Sequence, residues 1–225
     1  MIAQFMQRKQ TRENSCGAAA LTVAIAEISV SPEWNTDQQE EIIWRRVRGA
    51  DETWSVPGKL ALHAWKEGPG IEARIMQDSQ RLEQARRSIP PALVTFDVDA
   101  HIREHDQELR RAEQNGVRVM HGTHDVNTLT ELMDRGWRLL IVTVVAQPGG
   151  LGLHYLLGRK RSDVYGYALM DPAEGRNAPY FREDLSVFLF EPAPELSGLP
   201  RYVGITVGLL DFLREGRVPD AKARA

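Results

Sequence analysis

The sequence predicts an α+β fold in which a helical half precedes an antiparallel sheet half. Apolar residues recur at helical spacing in the first third of the chain, whereas short apolar runs separated by Gly, Pro and Asp turns fill the last third. These two kinds of element are segregated along the chain rather than alternating as βα units. With no internal repeat or low-complexity linker, residues 1–212 are expected to form a single domain, followed by a flexible tail over 213–225.

The predicted helices begin with CGAAALTVAIAEI, where Leu21, Ile25 and Ile28 are spaced by four and three residues. This Ala-rich segment is typical of a buried central helix that starts at Cys16. Later helices are delimited by capping residues, prolines and glycine stops. They are predicted over 37–47 (capped by Thr36 or Asp37), 58–67, 79–87, 99–114, 127–134 (capped by Asp125 or Asn127) and 181–189.

The predicted strands share short apolar runs between turn residues. They cover 71–76, 92–98, 117–120, 137–145, 153–159, 164–170 and 202–209. Two hairpins join the strongest of them: a glycine-rich turn over 147–152 places His154 at the start of a strand, and Ser162-Asp163 forms the second turn. The highly charged segment 97–124 is a candidate insertion, where substrate choice or partner binding would be added.

Composition excludes several function classes. A formal net charge of −3 spread over both signs gives no field that would gather nucleic acid. No run approaches the roughly 18 apolar residues of a membrane span, and the N-terminus lacks the pattern of a secretory signal. We therefore expect a cytoplasmic protein, or one exported without a cleavable signal peptide. The chain has one cysteine, so no internal disulfide forms, and no pattern calls for a cofactor.

The single cysteine, Cys16, lies where a polar segment gives way to the apolar helix. A thiol attacks as its thiolate, and the backbone N–H groups at a helix N-terminus stabilise that anion. Gly17 follows and allows another segment to approach closely. Cys16 is therefore a candidate nucleophile; the alternative is a small buried apolar side chain.

His154 and Asp171 are the candidate base and its orienting carboxylate. The second hairpin brings the end of the strand before Asp171-Pro172 back to the level of His154, where the carboxylate would fix the tautomer of the imidazole. Gln10 adds a candidate oxyanion donor next to the Cys16 N–H, with Gln7 as a competitor for that role. Each residue alone also fits a purely structural role.

Three segments carry a resemblance to a known family: Gln10-Thr-Arg-Glu-Asn-Ser-Cys16-Gly17, Leu153-His154-Tyr155-Leu156-Leu157-Gly158 and Met170-Asp171-Pro172-Ala173-Glu174-Gly175. They resemble papain-like cysteine peptidases, in particular the bacteriocin-processing, double-glycine leader peptidases and their stand-alone relatives. The resemblance covers residues 4–28 and 128–188.

The resemblance implies a papain-like fold with a Cys16–His154–Asp171 triad and cleavage of a peptide or protein substrate through a thioester. The same triad would serve a glutamine deamidase or an acyltransferase of the transglutaminase type, acting as an effector on another protein. A catalytically dead binding module that keeps the groove is a further alternative.

One motif points to a different chemistry. His101-Ile-Arg-Glu104-His105 is an H-x-x-E-H string on a predicted helix, where the two histidines lie one turn apart as two zinc ligands would. Glu104 would be the base, and Glu183 is one possible third ligand. The charged flanks instead suggest a solvated helix face. A second cluster, His121-Gly-Thr-His124-Asp125, fits a loop and helix cap better than a metal site.

Overall fold

The computed structural model describes residues 5–68, 70–94, 96–161 and 166–211. Over these residues the chain forms seven α-helices and seven β-strands. The helices are α1 Cys16–Ile28, α2 Asp37–Val47, α3 Pro57–Glu67, α4 Ser79–Ser88, α5 Val98–Gln114, α6 Val126–Asp134 and α7 Arg182–Phe190. The strands are β1 Ile71–Gln77, β2 Arg118–His121, β3 Arg138–Gln147, β4 Gly150–Lys160, β5 Tyr167–Asp171, β6 Arg176–Tyr180 and β7 Tyr202–Asp211. No helix in the described ranges is long and apolar enough to span a membrane.

All seven strands belong to one sheet, in the order β2-β1-β7-β3-β4-β5-β6. Neighbouring strands are antiparallel except β1 and β2, which pair in parallel. The expectation of an antiparallel sheet is therefore wrong at this edge. The reason is that α4 and α5 lie between β1 and β2 along the chain, and parallel pairing requires such a long crossover.

Seven helices and one mixed sheet make the chain an α+β protein, consistent with a papain-like fold. The sheet buries apolar side chains on both of its faces. On β3, Leu140 and Val142 pack with α1, whereas Leu139 and Ile141 face the opposite core with residues of α6 and α7. Such a strand reads as a continuous apolar run because neither of its faces meets water. This is why 137–145 is the strongest strand signal in the sequence.

The central helix α1 has the predicted bounds, and every residue in it except Glu27 is buried. Its alanines make it narrow, which allows the other helices and the sheet to pack around it. The expected caps are also found: Thr36 accepts from the Gln39 N–H at 3.2 Å, and Asp125 accepts from the Thr128 N–H at 2.8 Å.

The strand predicted over 92–98 is wrong. Pro91–Leu93 forms a 3-10 turn, Val94 makes only an isolated bridge to Leu151, and α5 already begins at Val98. The side chain of Asp97 accepts from the Ala100 N–H at 2.9 Å, so a helix cap interrupts the apolar run.

The predicted glycine-rich turn is also shorter than expected. β4 begins at Gly150 and pairs with β3 from its first residue, which leaves His154 inside the strand rather than at its mouth. Gly150 has φ +147°, and a side chain there would meet the Leu93 carbonyl. The Ser162-Asp163 turn, the first residues of the strand predicted to follow it and the whole 213–225 tail fall outside the described residues.

The candidate insertion, 97–124, supplies α5 and the edge strand β2. α5 packs so closely on α3 that a Cβ at Gly58 would lie 2.5 Å from the Glu108 backbone. Whether this segment is an insertion relative to relatives stays a prediction.

Candidate active site

Cys16 is the first residue of α1 and is 5% exposed. Ser15, directly before it, is of the type that usually caps a helix, yet its side chain makes no cap hydrogen bond. The first backbone N–H groups of α1, which form the positive end of the helix, therefore receive no side-chain cap and stay available to another acceptor. A thiolate or a substrate oxyanion at this point would meet that end of the helix.

Gly17 brings the start of α1 against β4. A Cβ at this position would lie 2.5 Å from Cβ of Ser55 and 3.0 Å from the Tyr155 ring. The Tyr155 hydroxyl in turn donates to the Ser55 carbonyl at 2.7 Å. The close approach that glycine permits places the start of α1 beside the residue that precedes Tyr155, which is His154.

His154 joins the other two predicted residues. Its Nε2 lies 2.7 Å from Oδ1 of Asp171, and the Cys16 side chain lies close enough to the same imidazole to raise its pKa. Met170 pairs with Leu157 across β4 and β5, so Asp171 lies diagonally from His154 on the same face of the sheet. The structure thus brings Cys16, His154 and Asp171 together in one chain of contacts.

Burial and the neighbouring charged groups shift the pKa of the His154 imidazole in opposite directions. Burial alone would lower the pKa of His154, but the neighbouring Cys16 and the hydrogen bond to Asp171 outweigh it and raise the pKa to about 10. Burial favours protonated Asp171, yet the hydrogen bonds from His154 and from the Ala173 N–H lower its pKa overall. These interactions favour a protonated imidazole on His154 beside an ionised Asp171.

Gln10 lies next to this chain of contacts. Its backbone N–H donates to the Pro172 carbonyl at 2.8 Å, directly after Asp171. Its side-chain carbonyl oxygen is buried and has no hydrogen-bond partner among the described residues. The competitor Gln7 has an exposed side chain, and only its backbone carbonyl is seen to accept, from the Asn35 side-chain amide at 3.5 Å.

Glu40 of α2 is a residue of this region that sequence reasoning missed. Its carboxylate is fully buried and receives hydrogen bonds from the segment that precedes Cys16. Oε1 accepts from the Thr11 N–H at 2.8 Å, the Thr11 hydroxyl at 2.9 Å and the Ser15 hydroxyl at 2.6 Å. Oε2 accepts from Arg8 Nε at 2.7 Å.

A signal for Glu40 was present in the sequence. The buried residues of α2 are Glu40, Ile43, Trp44 and Val47, which follow the i, i+3, i+4, i+7 spacing of a core-facing stripe. A glutamate at the first position of that stripe must be paired when buried. The spacing therefore indicated a buried carboxylate, although not its partners.

A cleft opens beside these residues. It has about 730 Å³ of empty space and is lined by Asn14 of the segment before Cys16, by Leu153 next to His154, and by Trp54, Phe96 and His101. An apolar pocket shares Trp54, Phe96, His101 and Leu153 with this cleft and is also lined by Val142, Val203 and Ile205 of the sheet. The cleft therefore borders residues that lie close in sequence to Cys16 and His154.

The side chains of the H-x-x-E-H string make contacts within the fold. Its two histidines are buried, so the expectation that they lie on a solvated helix face is wrong. His101 is buried, with Nε2 2.9 Å from the Thr53 hydroxyl and Nδ1 2.9 Å from the Asp97 carbonyl oxygen. Glu104 accepts from Lys59 Nζ at 3.0 Å. His105 is buried, and this burial lowers its pKa to about 4. The charged residues of α5 other than Glu108, which is buried on the same face, are exposed or half-buried.

The remaining residues of the metal hypotheses are dispersed. Glu183 is exposed in the first turn of α7, and His121 is exposed at the end of β2. His124 is buried, and its backbone N–H donates to Oδ2 of Asp78 at 3.1 Å. In the described ranges no group of three or more His, Cys, Asp or Glu residues is arranged to hold a metal ion.

Comparison with known proteins places this site in a family. A family model described as "Invasion plasmid antigen J, cysteine protease" matches residues 8–187. The match spans the segment before Cys16, both β4 and β5, and the start of α7. No curated protein matches the chain.

Proposed function

The chain belongs to the invasion plasmid antigen J cysteine protease family and is a cysteine peptidase, and we propose that it cleaves peptide bonds with Cys16 as nucleophile, His154 as base and Asp171 as the group that orients the histidine. One observation carries these roles. Nε2 of His154 is hydrogen-bonded to Asp171, and Cys16, at the uncapped start of α1, lies close enough to the same imidazole to raise its pKa.

The proposed reaction has two halves. His154 takes the proton of the Cys16 thiol, and the thiolate attacks the carbonyl carbon of the scissile bond. The backbone N–H of Cys16 and the side-chain amide of Gln10 stabilise the resulting oxyanion. The imidazolium then returns its proton to the leaving amine, which departs and leaves a thioester on Cys16.

In the second half, His154 removes a proton from water, and the hydroxide attacks the thioester carbonyl. The tetrahedral intermediate collapses to release a carboxylic acid, and the proton returns to the thiolate. Throughout, the hydrogen bond to Asp171 keeps a proton on Nε2 of His154. The other ring nitrogen, Nδ1, therefore exchanges protons with the thiol.

The first test uses iodoacetamide, because Cys16 is the only cysteine of the chain. We expect wild-type alkylation to persist well below the free-thiol pKa of about 8.5, to be absent in Cys16→Ser, and to revert to an ordinary thiol profile in His154→Ala. His121→Ala, at an exposed histidine, is the matched control. A slow reaction with an unperturbed profile that ignores His154 would overturn the roles.

The segments around Cys16, His154 and Asp171 also support a relationship to the double-glycine leader peptidases. A peptide that ends in Gly-Gly before the scissile bond is the direct probe for that relationship. Product mass separates the chemistries that share the triad: hydrolysis adds water to a cleaved bond, deamidation converts a glutamine to a glutamate, and acyl transfer joins the acyl group to an added amine.

The family description names an invasion antigen, which supports the proposal that the enzyme is an effector exported without a cleavable signal peptide and acting on a protein of another cell. Fractionating a producing culture and probing the medium for the chain would test this. Retention of the whole pool inside the producing cell, under conditions that induce export, would argue against the effector role.

A further inference from the structure

We infer that Glu40 is a positioning residue of the oxyanion site: its carboxylate holds the segment 8–15, here called the nucleophile loop, so that Gln10 and the start of α1 present their N–H groups to the substrate oxyanion. This inference rests on the proposed roles of Cys16 and Gln10. Glu40 itself acts through the loop and does not contact the thiol in the described contacts.

The first step of the argument is the number of bonds that converge on one buried carboxylate. Three donors of the nucleophile loop meet Oε1 of Glu40, and Arg8 meets Oε2. A buried carboxylate is stable only when it is paired and hydrogen-bonded, and removing Glu40 would leave the Thr11 N–H and hydroxyl without this acceptor. Arg8 would keep only its contacts with Asp37 and Asn35. The bonds on either side of Gln10, at Arg8 and Thr11, fix the stretch of backbone that carries it.

The second step concerns the other side of the loop. The Gln10 N–H is bonded to the Pro172 carbonyl, and a Cβ at Gly175 would lie 3.0 Å from the backbone nitrogen of Lys9. The nucleophile loop is thus held between Glu40 and the segment that follows Asp171. Loss of the Glu40 bonds would leave the loop held by the Gln10–Pro172 bond and by the more exposed ion pairs Arg8–Asp37 and Arg12–Glu41, which gives the Gln10 backbone more freedom to move.

The third step concerns Ser15. A serine before a helix ordinarily accepts from the N–H groups of the first turn. Here its hydroxyl lies 2.6 Å from Glu40 and makes no cap bond. The hydroxyl also lies 2.9 Å from the Arg12 carbonyl oxygen, and these two contacts hold it in a position where it does not cap α1. The same N–H groups therefore remain available to an oxyanion that forms on the substrate.

Two reagents that react with the same sulfur separate this role from general damage. Iodoacetamide alkylates Cys16 by displacement of iodide at carbon, with no oxyanion. p-Nitrophenyl acetate acetylates Cys16 through a tetrahedral oxyanion, with p-nitrophenolate leaving and an acetyl thioester remaining. The ratio of acetylation rate to alkylation rate therefore reports oxyanion stabilisation and cancels changes in the reactivity of the thiolate.

We expect Glu40→Gln to lower this ratio by up to roughly a hundredfold, the lower end of what outright removal of an oxyanion donor costs (about 10²–10³). Gln10→Ala should lower it by a similar factor, and the double variant should be no worse than either single one, because both changes remove the same interaction. Glu67→Gln is the matched control, since it removes a half-exposed carboxylate at the end of α3 that is paired with Arg46 of α2, and it should leave the ratio unchanged.

Thr11→Val provides a second, milder variant at an exposed residue in case Glu40→Gln does not fold. It removes one hydroxyl bond to Glu40 and should lower the ratio in the same direction by a few fold. An unchanged ratio in both folded variants, or strict additivity with Gln10→Ala, would overturn the role of Glu40. Failure of wild-type alkylation at low pH would instead overturn the proposed roles of Cys16 and His154.

Discussion

Glu27, near the end of the nucleophile helix α1, forms an ion pair with Arg159 on β4, the strand that carries His154. Arg159 is fully buried, and Glu27 also accepts from Arg138 of β3 at 2.8 Å. The two elements that supply the nucleophile and the base are thus joined by charge at one end and by the contact between Gly17 and Tyr155 at the other.

Replacing Glu27 with Gln should destabilise the fold, because it leaves the buried guanidinium of Arg159 without its counter-charge. We expect a loss of about 3–5 kcal/mol in the free energy of unfolding, measured by urea denaturation. Glu67→Gln, which breaks a surface pair with Arg46, should cost about 0–1 kcal/mol. Equal costs for the two variants would show that the buried pair contributes no more than a surface one.

The high pKa of His154 depends on Asp171. NMR titration of the His154 ring proton, assigned with His154→Ala, should show an inflection near pH 10 in the wild type. The hydrogen bond and negative charge of Asp171 raise this pKa, so Asp171→Ala should move the inflection to lower pH. Asp99→Asn, at an exposed carboxylate paired with Arg86, serves as the control and should leave it in place.

Gly17→Ala should impair both stability and reactivity. The added Cβ would lie 2.5 Å from Cβ of Ser55, so the start of α1 must move away from β4. We expect a cost of about 1–3 kcal/mol in unfolding free energy, together with slower alkylation of Cys16. Gly122→Ala is matched in chemistry but meets nothing within 4 Å, and a similar loss in that variant would contradict the packing explanation.

His105 should make the fold sensitive to acid. Its pKa is about 4 in the folded protein and about 6.5 when exposed, so the unfolded chain binds more protons between these values. Stability contributed by neutral His105 is therefore complete above pH 6.5 and is lost as the pH falls toward 4. His105→Gln should reduce this acid-dependent loss by roughly 1–3 kcal/mol, read from urea unfolding at pH 7 and pH 4.5, whereas His121→Gln should not.

Several elements could be predicted from the sequence because local and tertiary signals agree. The predicted bounds of α1 and α2 match the structure, since helical periodicity coincides with a clear start and stop. The proximity of Asp171 to His154 followed from hairpin geometry alone and is confirmed by their hydrogen bond. Their catalytic roles remain proposals that the experiments above address.

Other elements could not be predicted because their signals arise only in the folded molecule. β6, over Arg176–Tyr180, is an edge strand with a largely exposed surface and carries no alternating apolar pattern. The apolar run 92–98 resembles a strand until Asp97 caps α5. Glu40 depends on four donors from a loop that is distant along the chain, and no local pattern encodes such convergence.

The order of the site residues along the chain has a consequence for biosynthesis. Cys16 leaves the ribosome early, whereas β4 and β5, which bring His154 and Asp171, are translated much later. Until the β3–β4 hairpin has docked on α1, the sulfur is an ordinary thiol with no imidazole beside it. If these three residues act as proposed, a nascent chain gains hydrolytic activity only when long-range pairing is complete. Acquisition of fast alkylation would thus report the final stage of folding.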